Sequence, residues 1–418
     1  MAGPFAGLRV VEFGRFIAAP YCGQLLADGG ADVIKVESLE GDETRRNGQI
    51  VPGEGRQFLN KNRGKRSLAV DLRDPEVLAA VVELAARADI VVANFRPGQA
   101  ARHGLDYESL SARNPRLIYA ENTAYGRKGP MADAAGMDVV LAAYAGLLNF
   151  HPDGPTPLSD PIVDYMAGML LAWGVSTALY TRERTGEGQR LDVALLQAAL
   201  LLQNNHMNHV DVLDEWRTEF VEYLKTAFAH GETWANVIAR REELQPHALV
   251  RAYYGYLPTR DGMIAVAAMA RPLRLKMMEV VGFEDRWTRE PGWLPEDGRA
   301  YAEEVARAVE ARTTQDSTAN WQRKFAAAGI PSAPLQFPEQ LLDDPQVAAN
   351  GFLTRLEHQT VGGVTVVSPP VAFSKTPLAA HAASPALGAH TRAALAEAGL
   401  DGAAIDRLVA RGVVVDGQ

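Results

Sequence analysis

Asp164 is the side chain whose setting most invites chemistry. It follows Ile162-Val163 and precedes Tyr165–Arg184, an apolar helical run that closes at Thr185-Gly186 behind the basic residues Arg182 and Arg184. This pattern sets a carboxylate at the positive end of a helix, worth roughly 0.3–1 kcal/mol and up to about 2 when partly buried. An ordinary N-cap has the same residue type in the same place. The pattern therefore leaves two readings open: a cap, or a carboxylate kept ionised as a nucleophile beside an anionic ligand. Other reactive types are weaker candidates. His206 and His209 are spaced i, i+3, but no carboxylate or cysteine pattern completes a metal site around them. Cys22 has no histidine in its loop to activate it and reads as a small buried residue.

Basic residues recur where an anion could dock. Lys61, Arg63, Lys65, Arg66, Arg96, Arg102, Arg127 and Lys128 lie in or near predicted loops, and guanidinium groups bind phosphate bidentately. Strand patterns fall at Leu8–Phe13, Asp32–Glu37, Leu68–Leu72, Ile90–Asn94, Leu117–Glu121 and Arg190–Leu195. Between them lie helical patterns, the clearest being Pro75–Ala86 after the cap Asp74. Such alternation predicts an α/β fold with a mainly parallel sheet. In open parallel sheets ligands gather beyond the carboxyl ends of the strands, which selects the loops 14–20, 38–42, 95–98 and 122–128. The first of these has one glycine where a dinucleotide fingerprint needs three. A phosphate-cradling G-x-x-x-x-G-K-[ST] and a G-x-S-x-G nucleophile elbow are also missing.

The 418 residues accommodate two domains, and 47% hydrophobic with 22% charged residues is an ordinary globular balance. The net charge of −9 disfavours nucleic acid. Met166–Tyr180, the longest apolar stretch, reads as too short and too interrupted by glycine to span a membrane. The lone cysteine fits a reducing compartment, so a cytoplasmic location is expected. Past residue 200 the character changes. The expected organisation is a large domain over 1–199, a linker over 200–227, and a small α+β domain over 228–332. A return segment over 333–418 then packs its helical tail on the large domain.

Ordered motifs sharpen the reading. Gly7-Leu8-Arg9-Val10-Val11-Glu12-Phe13 leads to Ala19-Pro20 and then to Leu26-Ala27-Asp28-Gly29-Gly30-Ala31-Asp32-Val33-Ile34-Lys35-Val36-Glu37. Asn62–Leu68, Asp71–Glu76, Asn94–Gly98 and Asn114–Tyr119 follow, then Arg184–Val193, Gly329–Pro334, Leu341–Gln346 and Leu387–Thr391. In this order the chain resembles the class III CoA-transferases, the family of formyl-CoA and carnitine-CoA transferases, nearly end to end. The resemblance implies a Rossmann-like large domain, a smaller domain, and two subunits threaded as interlocked rings in a homodimer. It implies acyl-CoA and a free carboxylic acid as substrates, with coenzyme A arriving as a thioester and no permanently bound cofactor or metal. It places the catalytic aspartate on Asp164 and the coenzyme A contacts near Ala18, Val70, Arg73, Asn94, Phe95, Arg96 and Arg102. Val70 and Asn94 would lie near the adenine, and the arginines would meet phosphates.

Some positions depart from the family pattern. Ser38 stands where some members carry an arginine, and no lysine occurs between Met131 and Ala143. Residues 245–262 lack a tetraglycine lid. These departures speak against oxalate and formyl-CoA as substrates and leave Gln245–Tyr256 to shape the acyl pocket. A racemase acting at the α-carbon is the nearest alternative, but Met137 in Gly136-Met137-Asp138 stands where it needs a histidine. A coenzyme A-binding protein without catalysis is the other alternative, and an aspartate at position 164 argues against it.

Overall fold

The computed structural model describes residues 3–245 and 249–417. They form two compact units. One joins the chain up to Val210 with everything from Ala348 onward; the other is Asp211–Val347.

The first unit is built on six strands: β1 (Arg9–Phe13), β2 (Asp32–Glu37), β3 (Arg66–Ala69), β4 (Ile90–Ala93), β5 (Ile118–Thr123) and β6 (Gln189–Ala194). All pair in parallel, in the order β3-β2-β1-β4-β5-β6. That order is the doubly wound arrangement, with its reversal between β1 and β4. The central strands are buried on both faces, so their sequences read as continuous β-branched runs. Val10, Val33, Ile90 and Val92 face α1 (Ala18–Asp28) and the long helix over Ile162–Thr185. Val11, Ile34, Leu68 and Val91 face α2 (Pro75–Ala86). As its sequence predicts, α2 starts on Asp74, whose carboxylate accepts the Glu76 and Val77 N–H groups.

Three more helices shape the other end of the sheet: α3 (Asp138–Ala145), α4 (Ile162–Thr185) and α5 (Leu195–Leu202). Helix α4 begins earlier than its pattern suggested. Pro161 takes the cap position and Asp164 is the third helical residue, so Asp164 is not an N-cap. Gly168 and Gly174 lie inside the helix instead of breaking it. At 24 residues α4 is therefore long and apolar enough to cross a membrane by length and composition, unlike the shorter stretch read from sequence. Its buried face, including Ala167, Leu171 and Val175, lies against α1 and the sheet. Arg182, near its far end, is buried and pairs with Asp89 at 3.2 Å. The opposite face leaves Met169, Trp173 and Tyr180 exposed.

The last residues complete this unit. Helices Thr391–Glu397 and Gly402–Ala410 bring Ala394, Leu395, Ile405 and Leu408 into the same core as α2. Beyond them the backbone runs beside the end of β3: Asp71 N–H donates to Val413 O and Val415 N–H to Ala69 O, both at 2.9 Å. The helical tail read as one stretch is broken at residues 398–401, around Gly399 at φ 103°.

In the second unit an antiparallel sheet orders β9 (Ser332–Pro334), β8 (Gly262–Ala267) and β7 (Tyr254–Thr259). Its core packs Leu257, Ile264 and Val266 against Met277, Val309, Trp321 and Phe325. Residues 215–227, within the stretch read as linker, form a helix of this unit. Of the segment Gln245–Tyr256, residues 246–248 lie outside the described residues.

Candidate active site

The sheet rule locates the site. Beyond the carboxyl ends of β1, β2, β4 and β5 lies a cleft of about 1150 Å³. Gly14, Arg15 and Phe16 after β1 face the segment Asn94–Gln99 after β4 across it, at the reversal of the strand order. The two loops are tied together. Asn94 Oδ1 accepts the Arg15 N–H at 2.9 Å, and Asn94 Nδ2 donates to Arg15 O at 2.8 Å. This clasp supports Phe16 at φ 63°, the one non-glycine residue with positive φ among those described. A left-handed bulky residue is strained and persists only when its surroundings fix it.

Asp164 lines the same cleft, delivered by the first turn of α4. The N–H groups of that turn have no partners within the helix, and α3 supplies one: Asp138 Oδ2 accepts the Asp164 N–H at 3.0 Å. A carboxylate that holds the backbone of Asp164 also repels its side chain. Burial first, then the charge of Asp138, push the Asp164 carboxyl up to about 7, with Lys61 pulling the other way. The helix end cannot offset this. Its roughly 0.3–1 kcal/mol is less than one pH unit, about 1.4 kcal/mol. The helix end therefore does not by itself keep Asp164 ionised: burial and the charge of Asp138 outweigh the dipole and raise the carboxyl above the ordinary carboxylate range. Once ionised in this desolvated place, it is a strong base and nucleophile for a carboxylate.

The cleft has two characters. On the side of α3, whose Asp138 holds the Asp164 backbone, and of α5, the lining is Ala134, Gly136, Met137, Val140 and Leu195. Elsewhere Arg15, Arg46, Arg73, Arg96 and Arg127 reach the lining. Arg15 pairs with Glu43, Arg73 with Asp71 at 2.8 Å, and Arg127 with Glu121 and Asp192. The Arg96 side chain is exposed and makes no hydrogen bond or ion pair among the described residues. An arginine-bearing region, most of whose guanidinium groups are held by neighbouring carboxylates while Arg96 is not, thus joins an apolar one, and together they fit a ligand with phosphates at one end and an acyl group at the other.

The residues singled out from sequence fall as follows. Val70, Arg73, Asn94, Phe95, Arg96 and Asp164 all line the cleft. Val70 bridges Val414, and the Phe95 ring packs tilted by 33° against Phe13 at 5.2 Å. Ala18 is buried at the start of α1, and Arg102 is exposed on a short turn with its Nε 3.3 Å from Gly98 O; neither lines the cleft. The basic run 60–66 is not a phosphate cluster. Arg63 clasps Asp28, Lys65 pairs with Glu12 at 2.7 Å, and Arg66 holds Asp32 and Glu397. Lys61 is buried. Cys22 is buried and its thiol pushed up by burial. No three His, Cys, Asp or Glu side chains among the described residues cluster to hold a metal. The sheet rule selected the loop that carries Arg15, whereas sequence reasoning missed Arg46 and His103 in the lining and the backbone role of Asp138.

Comparison with known proteins gives one consistent result. The sequence profile of CoA-transferase family III matches residues 5–391. The succinate–glutarate CoA-transferase of Agrobacterium fabrum is 33% identical, over 94% of this chain and 95% of its own. The succinyl-CoA:glutarate CoA-transferase of Mus musculus is 32% identical, over 98% and 90%. Among solved structures, a CAIB/BAIF family protein from Brucella suis superposes with a TM-score of 0.74 at 31% identity, covering 95% of this chain and all of that one.

Proposed function

Because the chain belongs to CoA-transferase family III and is an enzyme of that class, we propose that it exchanges coenzyme A between an acyl-CoA and a free acid through covalent chemistry at Asp164. The observation that carries this reading is that Asp164 shares one cleft with Val70, Arg73, Asn94, Phe95 and Arg96. In the first step an Asp164 oxygen attacks the thioester carbonyl, the C–S bond breaks, and coenzyme A leaves as thiolate with a mixed anhydride behind it. The thiolate then attacks the aspartyl carbonyl and the donor acid departs as carboxylate, leaving an aspartyl thioester. The acceptor carboxylate attacks that thioester, expelling the thiolate. The thiolate attacks the acceptor's own carbonyl, which releases the acyl-CoA product and restores Asp164. Splitting the exchange into such steps replaces one difficult reaction by several easier ones.

In this reading Arg96 and Arg73 meet phosphates, Val70 and Asn94 lie near the adenine, and Asn94 also braces the Arg15–Phe16 loop. Ala18 and Arg102 would act from outside the lining. The relatives described above are named for succinate and glutarate, and a carboxylic acid of some kind is the proposed acceptor here. Proton exchange at the α-carbon is disfavoured because Met137, in the lining beside Asp138, has no titratable group.

A second copy of the chain is the proposed partner, in an interlocked homodimer. The exposed Met169, Trp173 and Tyr180 on one face of α4 support an apolar interface there. The single cysteine, buried, is in keeping with a cytoplasmic setting. The test of the chemistry is exchange across a panel of acyl-CoAs and acids followed by mass spectrometry. An adduct on the Asp164 peptide is expected, with exchange lost in Asp164→Ala. Full exchange in that variant would remove the proposed nucleophile.

A further inference from the structure

Lys61 is a buried lysine for which the proposed reaction has no use so far. It is 2% exposed. Its ammonium donates to Asn60 Oδ1 at 2.8 Å and lies 3.5 Å from Gln57 O. It also sits 5.4 Å from the centre of the Tyr165 ring, the residue after Asp164. Among the described residues no carboxylate pairs with it directly. The neighbouring lysines differ: Lys65 and Lys35 each contact Glu12. A buried cation without its own carboxylate is costly, and an aromatic face returns only about 0.5–2 kcal/mol. Such an arrangement calls for a functional reason.

We infer that Lys61 is a positioning residue for the Asp164 chemistry: its buried ammonium, lodged over the Tyr165 ring beside the first turn of α4, is the countercharge that keeps Asp164 available as a carboxylate against the charge of Asp138. The inference rests on Asp164 being the nucleophile. The charged and titratable groups around this turn are few. Asp138 comes from α3, Lys61 from the loop before β3, Asp160 from the residue just ahead of the α4 cap, where it acts on Tyr165, and Tyr21 from α1, edge-on to Tyr165 at 5.1 Å. Helix α5, Leu-Leu-Gln-Ala-Ala-Leu-Leu-Leu, brings none. Asp42, the other acid felt by Lys61, is already 3.0 Å from Lys35. Burial pushes Lys61 down to about 8, so it is still mostly charged where Asp164 titrates. The countercharge also favours Asp164 as the leaving carboxylate in the last step, when the thiolate attacks the acceptor carbonyl of the second anhydride.

The test compares Lys61→Met and Lys61→Arg with the wild-type enzyme, using an acyl-CoA and acid pair found in the exchange panel. Without the ammonium, the acidic limb of kcat/KM should move up by about one pH unit. That is roughly a tenfold loss near pH 6.5 that vanishes near pH 9, and Lys61→Arg should restore the limb. If Lys61→Met does not fold, Lys61→Gln is read in the same way. Carboxylate infrared difference spectra against Asp164→Asn would follow the Asp164 titration directly. A limb that stays in place, or an equal loss at every pH, overturns the inference. If Asp164→Ala retains exchange, the underlying reading has failed instead. An Asp164 adduct in every Lys61 variant with an unmoved limb refutes the role of Lys61 alone.

Discussion

At the scale of the residue, the site turns on one carboxyl group pushed up to about 7 by burial and by Asp138. In the proposed reaction Asp164 acts as the carboxylate, so kcat/KM should fall as pH drops through about 7. Asp138→Asn keeps an oxygen for the Asp164 N–H but removes the charge; its acidic limb should lie at lower pH, which a pH–rate profile will read. The same shift has a stability consequence. A carboxyl with a raised folded-state value favours the fold most below its ordinary value near 4, and that contribution is lost as pH rises through about 7. Asp164→Asn should therefore gain thermal stability over the wild type between pH 4 and about 7 and keep the gain above it. Asp164 itself was legible as a carboxylate at a helix start and through the family resemblance. Its ionisation was not, because Asp138 lies 26 residues away and Lys61 comes from another loop. Arg63, Lys65 and Arg66 misled for the same reason: their charge is visible in the sequence, whereas Asp28, Glu12 and Glu397 become their partners only on folding.

At the scale of the element, α4 owes its position to a close crossing with α1. A Cβ on Gly168 would come within 2.8 Å of Ala18 O and 3.0 Å of Tyr21 Cδ1. Gly168→Ala must therefore part the two helices one turn after Asp164. We expect kcat to fall on the order of tenfold to a hundredfold while the protein stays folded, because small misplacements of reacting groups cost that much; steady-state kinetics beside a thermal melt will separate the two effects. The middle of the sheet depends on Glu12. Fully buried in β1, it meets Lys35 at 2.9 Å and Lys65 at 2.7 Å. Glu12→Gln leaves the buried Lys65 without a carboxylate, while Lys35 keeps Asp42 at 3.0 Å, and should cost about 3–5 kcal/mol in urea unfolding. The strands themselves were legible because continuous β-branched runs have few alternatives. Their ends were less so: Val70, read as strand, makes only an isolated bridge with Val414 from the far end of the chain.

At the scale of the whole molecule, the exposed stripe on α4 and Asp164, the proposed nucleophile, share one helix. If the subunits are threaded through each other, dilution to nanomolar concentration should leave the dimer intact by sedimentation until the chains unfold. A simple surface pair would come apart instead, and the interlocking would be refuted. No local sequence pattern could have announced that arrangement; it was expected from the family alone. The discontinuous first unit also has a consequence for synthesis. Its core needs Leu395, Ile405, Leu408 and Val414, whereas the second unit is complete by Val347. During translation at roughly 5–20 residues per second, the middle of the chain can fold while the opening sheet waits, its apolar edge uncovered, for the ribosome to finish. Slow codons or a nascent-chain stall after Val347 should lengthen that wait and increase aggregation, although the finished protein is chemically identical.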